Sequence, residues 1–444
     1  MRNSQPTPSF KASLGTFDLT MIVISAVIGS GIFLSPAIIV RSLGDPTLAL
    51  GMWVLGGLMA LAGALTFAEL ANVLPRVGGL YAYLGTAYAP AAGFTYGWCM
   101  LLVVNSGSLA ALCVACAEYL SAIMPMSPVM QKAAAVGMIM FLTAANYFGV
   151  RQGSVITNAF TLIKIAGIAA LVLCGFFLPH PDAMAHAAPV PFPAMKTFAA
   201  AMVGVLWAYG GWQYSTFPAG ETKQPSRTTP LSIIVGVGII ILLYLTVNYV
   251  YLSVLPVSAF GEGSHVASLT AERLLGPWGG TAISMLIVLS TFGTASVYTL
   301  AAPRIYYAMS RDGLFFPRMA DLHPKYNTPS RALLAQCAVV TVYILSGSFD
   351  QLISYVSFVD WIFYAATAAA VLVFRKTLRD VPRAYKTLGY PVTPLFFIAI
   401  SLLFVVYLFF NEPVKSGIGL CILATAFPAY LAWKHKGKKA PQRR

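Results

Sequence analysis

The sequence predicts an all-α integral membrane protein with about twelve transmembrane helices, and three observations carry that expectation. Of 444 residues, 58% are hydrophobic and 9% charged, whereas a soluble domain carries roughly 25% charged residues. The mean hydropathy is +0.76. Apolar runs recur along the whole chain, and each approaches the roughly 20 residues that cross a hydrocarbon core about 30 Å thick. They lie at 17–40, 47–73, 88–121, 128–149, 155–178, 197–220, 230–255, 280–310, 331–347, 351–374, 391–411 and 415–433. A seven-helix receptor is excluded on length alone.

The first run, Phe17 to Val40, is too long for a secretory signal and lacks a small-residue cleavage site before a polar segment, so it is a retained helix. Cys99, Cys113, Cys174, Cys337 and Cys421 fall singly in apolar runs, and Cys116 follows Cys113 by one helical turn. No disulfide framework or metal spacing emerges from them, and small packing residues are the simpler reading. The net charge of +14 would suit nucleic acid if it were clustered on a folded face. Instead, Lys and Arg alternate between loops. With both termini on one side, that side holds 22 of them and the other side 5, Lys164 being intramembrane. Both termini are therefore expected in the cytoplasm. The basic tail at 434–444 is read as a topology determinant facing anionic lipid, with no nucleic-acid partner.

Two spans carry glycines near their middles: Val27-Ile28-Gly29-Ser30-Gly31-Ile32-Phe33 in span 1 and Trp207-Ala208-Tyr209-Gly210-Gly211-Trp212 in span 6. Glycine lowers helix stability by about 1 kcal/mol relative to alanine, so breaks are expected at 29–31 and 208–211. Packing glycines are the alternative for either segment taken alone. Register decides between them. Spans an odd number apart run in opposite directions, as required by two inverted five-helix repeats that share a midplane site. The repeats are assigned to 17–178 and 197–374, flanked by an N-terminal segment at 1–16, two further helices at 391–433 and the tail. Such a site suits a zwitterion. The N–H groups of Ser30 and Gly31 would hold a carboxylate, and the carbonyls of Val27, Trp207 and Gly210 an ammonium.

The stretches IGSGIF at 28–33, Ala68-Glu69-Leu70, Pro75-Arg76-Val77-Gly78-Gly79, Tyr81-Ala82-Tyr83, AYGGW at 208–212 and Pro225 to Pro230 together resemble the amino acid, polyamine and organocation superfamily, within it the L-type amino acid transporter branch. A weaker match runs from Ser290 to Arg304. The resemblance implies the LeuT-type fold of five plus five inverted helices and a substrate site built from Val27, Ile28, Gly29, Ser30, Gly31, Trp207, Ala208, Tyr209 and Gly210. Trp207 would be the aromatic gate. It also implies that Lys164 stands where sodium-coupled relatives hold a sodium ion, with Thr294 or Ser296 as partners; a lysine that snorkels to the membrane surface is the alternative. Animal L-type transporters carry a cysteine between spans 3 and 4 that joins a heavy chain. Here Ser127 occupies that stretch, so no disulfide-linked heavy chain is expected.

Among the remaining charges, Glu69 is expected to contact the loop after span 2, and Glu118 and Asp360 to be solvated near outer span ends. The five histidines, at 180, 186, 265, 323 and 435, fall in loops or the tail, and no catalytic constellation, metal site or cofactor motif is visible. The expected function is sodium-independent exchange of neutral L-amino acids by alternating access in the plasma (cell inner) membrane. Proton-coupled uptake, cationic amino acid or polyamine antiport, a non-transporting sensor and a channel are the alternatives. Neutral substrates are favoured because no Asp or Glu lies near either break in sequence, and Gln213 is the nearest polar side chain on span 6.

Overall fold

In the computed structural model, which describes residues 10–180, 195–261, 265–346 and 349–439, the regular elements are helical apart from an isolated bridge between Leu14 and Thr222. The first span is a bent pair, α1 (Thr16–Val27) and α2 (Gly31–Leu43), angled by 41°. After α3 (Pro46–Val73) and the short α4 (Leu80–Ala87), α5 (Pro90–Cys99) and α6 (Asn105–Ile123) form one rod through a π-helical turn at Met100–Val104. Next come α7 (Pro128–Tyr147), α8 (Val150–Phe177), α9 (Met195–Ala208) and α10 (Pro225–Val254). The short α11 (Val266–Leu275) precedes α12 (Pro277–Ala301), α13 (Pro303–Arg311), α14 (Ser330–Ser346) and α15 (Phe349–Thr377). α16 (Val392–Asn411) and α17 (Pro413–Lys439) end the described chain.

Proline punctuates these boundaries. Pro46, Pro90, Pro128, Pro225, Pro277 and Pro303 open helices, where the missing N–H removes a donor that had no acceptor anyway. Two of those starts are also capped: Asp45 accepts from the Leu48 N–H at 2.7 Å and Ser127 from the Met130 N–H at 3.3 Å. Among the described residues, nine helices are long and apolar enough to cross a membrane, and the bent first pair makes ten. The sixth and ninth expected positions are held by α9, of 14 residues, and α14, of 17.

The helices sort by burial. In the most apolar window of the α5–α6 rod 83% of residues are buried, and for α12–α13 72%, which makes these rods central; for α17 the share is 17%, so its apolar faces are left for lipid. α1 packs against α10, α8 and α12, and α2 against α9, so the two halves of the first span sit in different helical environments.

The termini-proximal side is tied by polar contacts. The guanidinium of Arg304 at the start of α13 pairs with both carboxylate oxygens of Glu221 at 2.8 and 2.9 Å, each side chain about 1% exposed, and also meets the Leu300 carbonyl. Backbone N–H groups of Ser13 and Leu14 donate to the Glu221 carbonyl. Glu69 does not bind the loop after its own helix: it accepts from Arg375 of α15 at 2.9 and 2.8 Å and from the Thr387 backbone, with Arg383 at 3.4 Å. Its structural role therefore joins α3 to α15, a pairing across 306 residues that only packing brings about. The tail expected at 434–444 is described only to Lys439, and the N-terminal segment only from Phe10.

Candidate functional site

Both glycine clusters break their helices, with boundaries that differ from expectation. α1 ends at Val27 and α2 starts at Gly31, so the irregular stretch is Ile28 to Ser30 and Gly31 is already helical. In the sixth position α9 runs through Ala208, then Tyr209, Gly210 and Gly211 are irregular. No α-helix resumes there; 3-10 turns at Trp212–Thr216 and Ala219–Glu221 lead to Pro225. Gly211 turns the chain at φ +115°, and a Cβ there would come within 2.6 Å of the Ala26 carbonyl. A Cβ on Gly31 would meet the Ala208 Cα at 2.9 Å. These glycines thus let the two breaks touch, which is the packing reading and the unwinding reading at once.

One hydroxyl spans both breaks. Tyr244 of α10 lies 3.0 Å from the Val27 carbonyl and 3.1 Å from that of Ala208. The Val27 carbonyl also accepts from the Gly29 N–H at 2.8 Å, which engages both its lone pairs. Of the three carbonyls expected to hold an ammonium, those of Trp207 and Gly210 remain as acceptors. Tyr244 was missed because nothing in span 7 marks it.

The breaks open into a cavity of about 620 Å³ lined by Val27, Gly29, Ser30 and Gly31, by Trp207, Gly210 and Gly211, and by residues of α6, α12 and α15. This volume falls within the usual range for small-molecule sites. Three expected residues do not line it. Ile28 and Ala208 are buried behind the breaks, and the Tyr209 hydroxyl points to the Trp53 carbonyl at 3.2 Å. At one end the cavity reaches the surface beside exposed Glu118 and His265. At the end nearer the termini it stops at Tyr214 and Tyr298, stacked at 4.1 Å, with Tyr214 bonded to Asn105 at 3.1 Å. The protein is therefore open on the side away from its termini and shut toward them.

Lys164 is fully buried on α8, so it does not snorkel. Its ammonium lies 2.7 Å from the Ile28 carbonyl, 3.1 Å from that of Ser290, 3.2 Å from the hydroxyls of Ser25 and Thr294 and 3.4 Å from the Ser25 carbonyl. No carboxylate pairs with it among the described residues. The cation is instead held by oxygens from α1, the first break and α12. Ser296, the other expected partner, bonds Thr157 at 3.0 Å.

Asp360 corrects the expectation of a solvated carboxylate. It lines the cavity between Ser357 and Trp361 on α15, and its Oδ1 is shut from solvent without a hydrogen-bond partner. Glu118 is exposed as expected, at the cavity mouth. Two aromatic neighbours, Trp361 and Tyr364, also escaped notice; the Tyr364 hydroxyl accepts from the Gly211 N–H at 3.4 Å. Among the described residues no group of His, Cys, Asp and Glu is arranged to hold a metal ion.

A family model described as amino acid permease matches residues 14–427. The chain is 29% identical to the serine/threonine exchanger SteT of Bacillus subtilis (strain 168), over 96% of this chain and 98% of that protein. It is 28% identical to the b(0,+)-type amino acid transporter 1 of Mus musculus, over 92% and 84% of the two chains. With the large neutral amino acids transporter small subunit 2 of Homo sapiens it shares 29% identity, over 97% and 82%.

Proposed function

Because this chain belongs to the amino acid permease family and is a membrane transporter of amino acids, not an enzyme, we propose that its cavity is the midplane site of a sodium-independent exchanger of neutral L-amino acids. The observation that carries this reading is that both helix breaks line one cavity, since irregular backbone at membrane depth is tolerated where it lines a cavity or meets a ligand. The N–H groups of Ser30, the N-cap of α2, and of Gly31, its first residue, have no intrahelical acceptors and offer a positive dipole end to the substrate carboxylate. The carbonyls of Trp207 and Gly210 receive its ammonium, and the Trp207 ring covers it. Val104, Ala111, Leu112 and Leu206 supply an apolar surface for the side chain.

Lys164 supports sodium independence, because its amino group already occupies the oxygen cluster between α1 and α12. Exchange by alternating access is supported by the asymmetry of the cavity, open at Glu118 and closed at the Tyr214–Tyr298 stack. In this reading residues 17–178 and 197–374 are the inverted repeats, 391–433 lies outside them, and both termini face the cytoplasm at the plasma membrane. Two of the three relatives named above, a serine/threonine exchanger and a large neutral amino acids transporter subunit, agree with neutral substrates. Ser127 caps α7 and offers no thiol for a disulfide-linked partner.

The test is competition with labelled alanine in proteoliposomes. Free L-amino acids should compete, whereas their methyl esters and N-acetyl derivatives, each lacking one end of the zwitterion, should not. Ser30→Pro, which removes a donor from the carboxylate site, should abolish binding. Undiminished affinity after that change would move the carboxylate elsewhere.

A further inference from the structure

We propose that Asp360 forms a side-chain subsite for a second positive charge, so that the cavity also takes cationic diamino acids. This rests on the cavity being the amino acid site and deepens that reading. Two buried acceptors face the cavity without partners: Oδ1 of Asp360 and Oε1 of Gln213, the latter on a side chain 1% exposed. A carboxylate at membrane depth is costly unless paired. Among the described residues Asp360 has no ion pair, and the cavity lining contains no Lys or Arg. Lys164, on α8, is committed to five oxygens behind the first break. A ligand ammonium would supply what the protein does not.

Geometry sets the kind of ligand. Tyr364, one turn from Asp360 on α15, touches the Gly211 N–H of the second break. Asp360 thus stands one helical turn, roughly 5.4 Å along α15, from the tyrosine that meets the second break. An ammonium carried on a short alkyl chain spans such a gap, which points to 2,4-diaminobutyrate, ornithine or lysine. A diamine without a carboxylate would leave the Ser30 and Gly31 donors unused and is a weaker ligand on this account.

The experiment compares ornithine with norvaline, its neutral analogue of equal chain length, as inhibitors of labelled alanine uptake, and as stabilisers of the detergent-solubilised full chain against heat. Ornithine should match or exceed norvaline in the native protein. Asp360→Asn should lower the ornithine-to-norvaline ratio at least about tenfold, and Asp360→Glu should restore part of it. If Asp360→Asn does not transport, the ratio is read from thermal stabilisation alone. Norvaline inhibiting while ornithine does not, or an unchanged ratio in Asp360→Asn, overturns the proposal and leaves the neutral-exchanger reading standing. A variant that loses dependence on an imposed pH gradient with no change in ratio would make Asp360 a proton site and also overturn it. Failure of every free amino acid to inhibit or stabilise the native protein would instead refute the amino acid site itself.

Discussion

Lys164 and Asp360 are two intramembrane charges of opposite sign that the fold treats in opposite ways. The ammonium of Lys164 is fully buried and met by five oxygens drawn from α1, the first break and α12. The carboxylate of Asp360 faces the cavity, and one of its oxygens has no hydrogen-bond partner. A satisfied buried charge organises its surroundings, and an unsatisfied one waits for a ligand. On the readings proposed above, the difference places Lys164 in the machinery that holds the break and Asp360 on the surface that meets substrate.

The largest effect should come from breaking the satisfied charge. Lys164→Ala removes the amino group that ties the Ile28 and Ser290 carbonyls together across the first break and α12 and leaves a cavity, and a buried long side chain cut back to Ala costs about 2–5 kcal/mol. Exchange should be lost and the melting temperature lowered, while membrane insertion, assayed by fractionation, should persist because the span becomes more apolar.

Breaking the buried Arg304–Glu221 pair tests the closed end of the cavity. Glu221→Gln leaves Arg304 with an uncompensated charge at a site about 1% exposed, a change that typically costs about 3–5 kcal/mol when one partner is removed. The expected outcome is a lower melting temperature together with greater alkylation of cysteines introduced beside Tyr298 from the termini-proximal side. Unchanged alkylation would mean that the Tyr214–Tyr298 stack closes that end alone.

Asp360→Asn should move stability the other way. Removing an unmatched carboxylate relieves its desolvation, so the ligand-free melting temperature should be equal to or above that of the native protein, in contrast to Lys164→Ala. A clear decrease would show that Asp360 is satisfied in the native state, and the contrast between the two charges would fail. The smallest expected effect is that of Tyr244→Phe. It deletes a hydroxyl shared between the Val27 and Ala208 carbonyls, worth about 0.5–1.5 kcal/mol, and should loosen both breaks with a modest loss of substrate affinity.

The breaks and Lys164 were legible in sequence because each violates a local rule: glycine pairs sit inside apolar runs, and a lysine sits where lipid should exclude it. The boundaries were less so. Gly31 belongs to α2 because its role is close approach to Ala208, a contact made across the fold and invisible to helix propensity. Asp360 was misread by position. α15 begins at Phe349, so Asp360 lies eleven residues into the helix, about 16 Å along it, which is near the middle of a core about 30 Å thick. Tyr209 and Trp207 are two residues apart in the same stretch, yet one bonds the Trp53 carbonyl and the other lines the cavity. Which way each points depends on how α9 seats against α2 and α3, and no sequence pattern encodes that.

In the exchanger proposed here, a fixed lysine does the work of a bound sodium ion. The most direct measurement is counterflow of labelled alanine into proteoliposomes loaded with unlabelled alanine, run in parallel in sodium and choline buffers at matched pH. Equal rates in the two buffers, and little uptake into vesicles without internal amino acid, are the predicted result; a strict sodium requirement, or uptake into empty vesicles driven by a pH gradient, would contradict it.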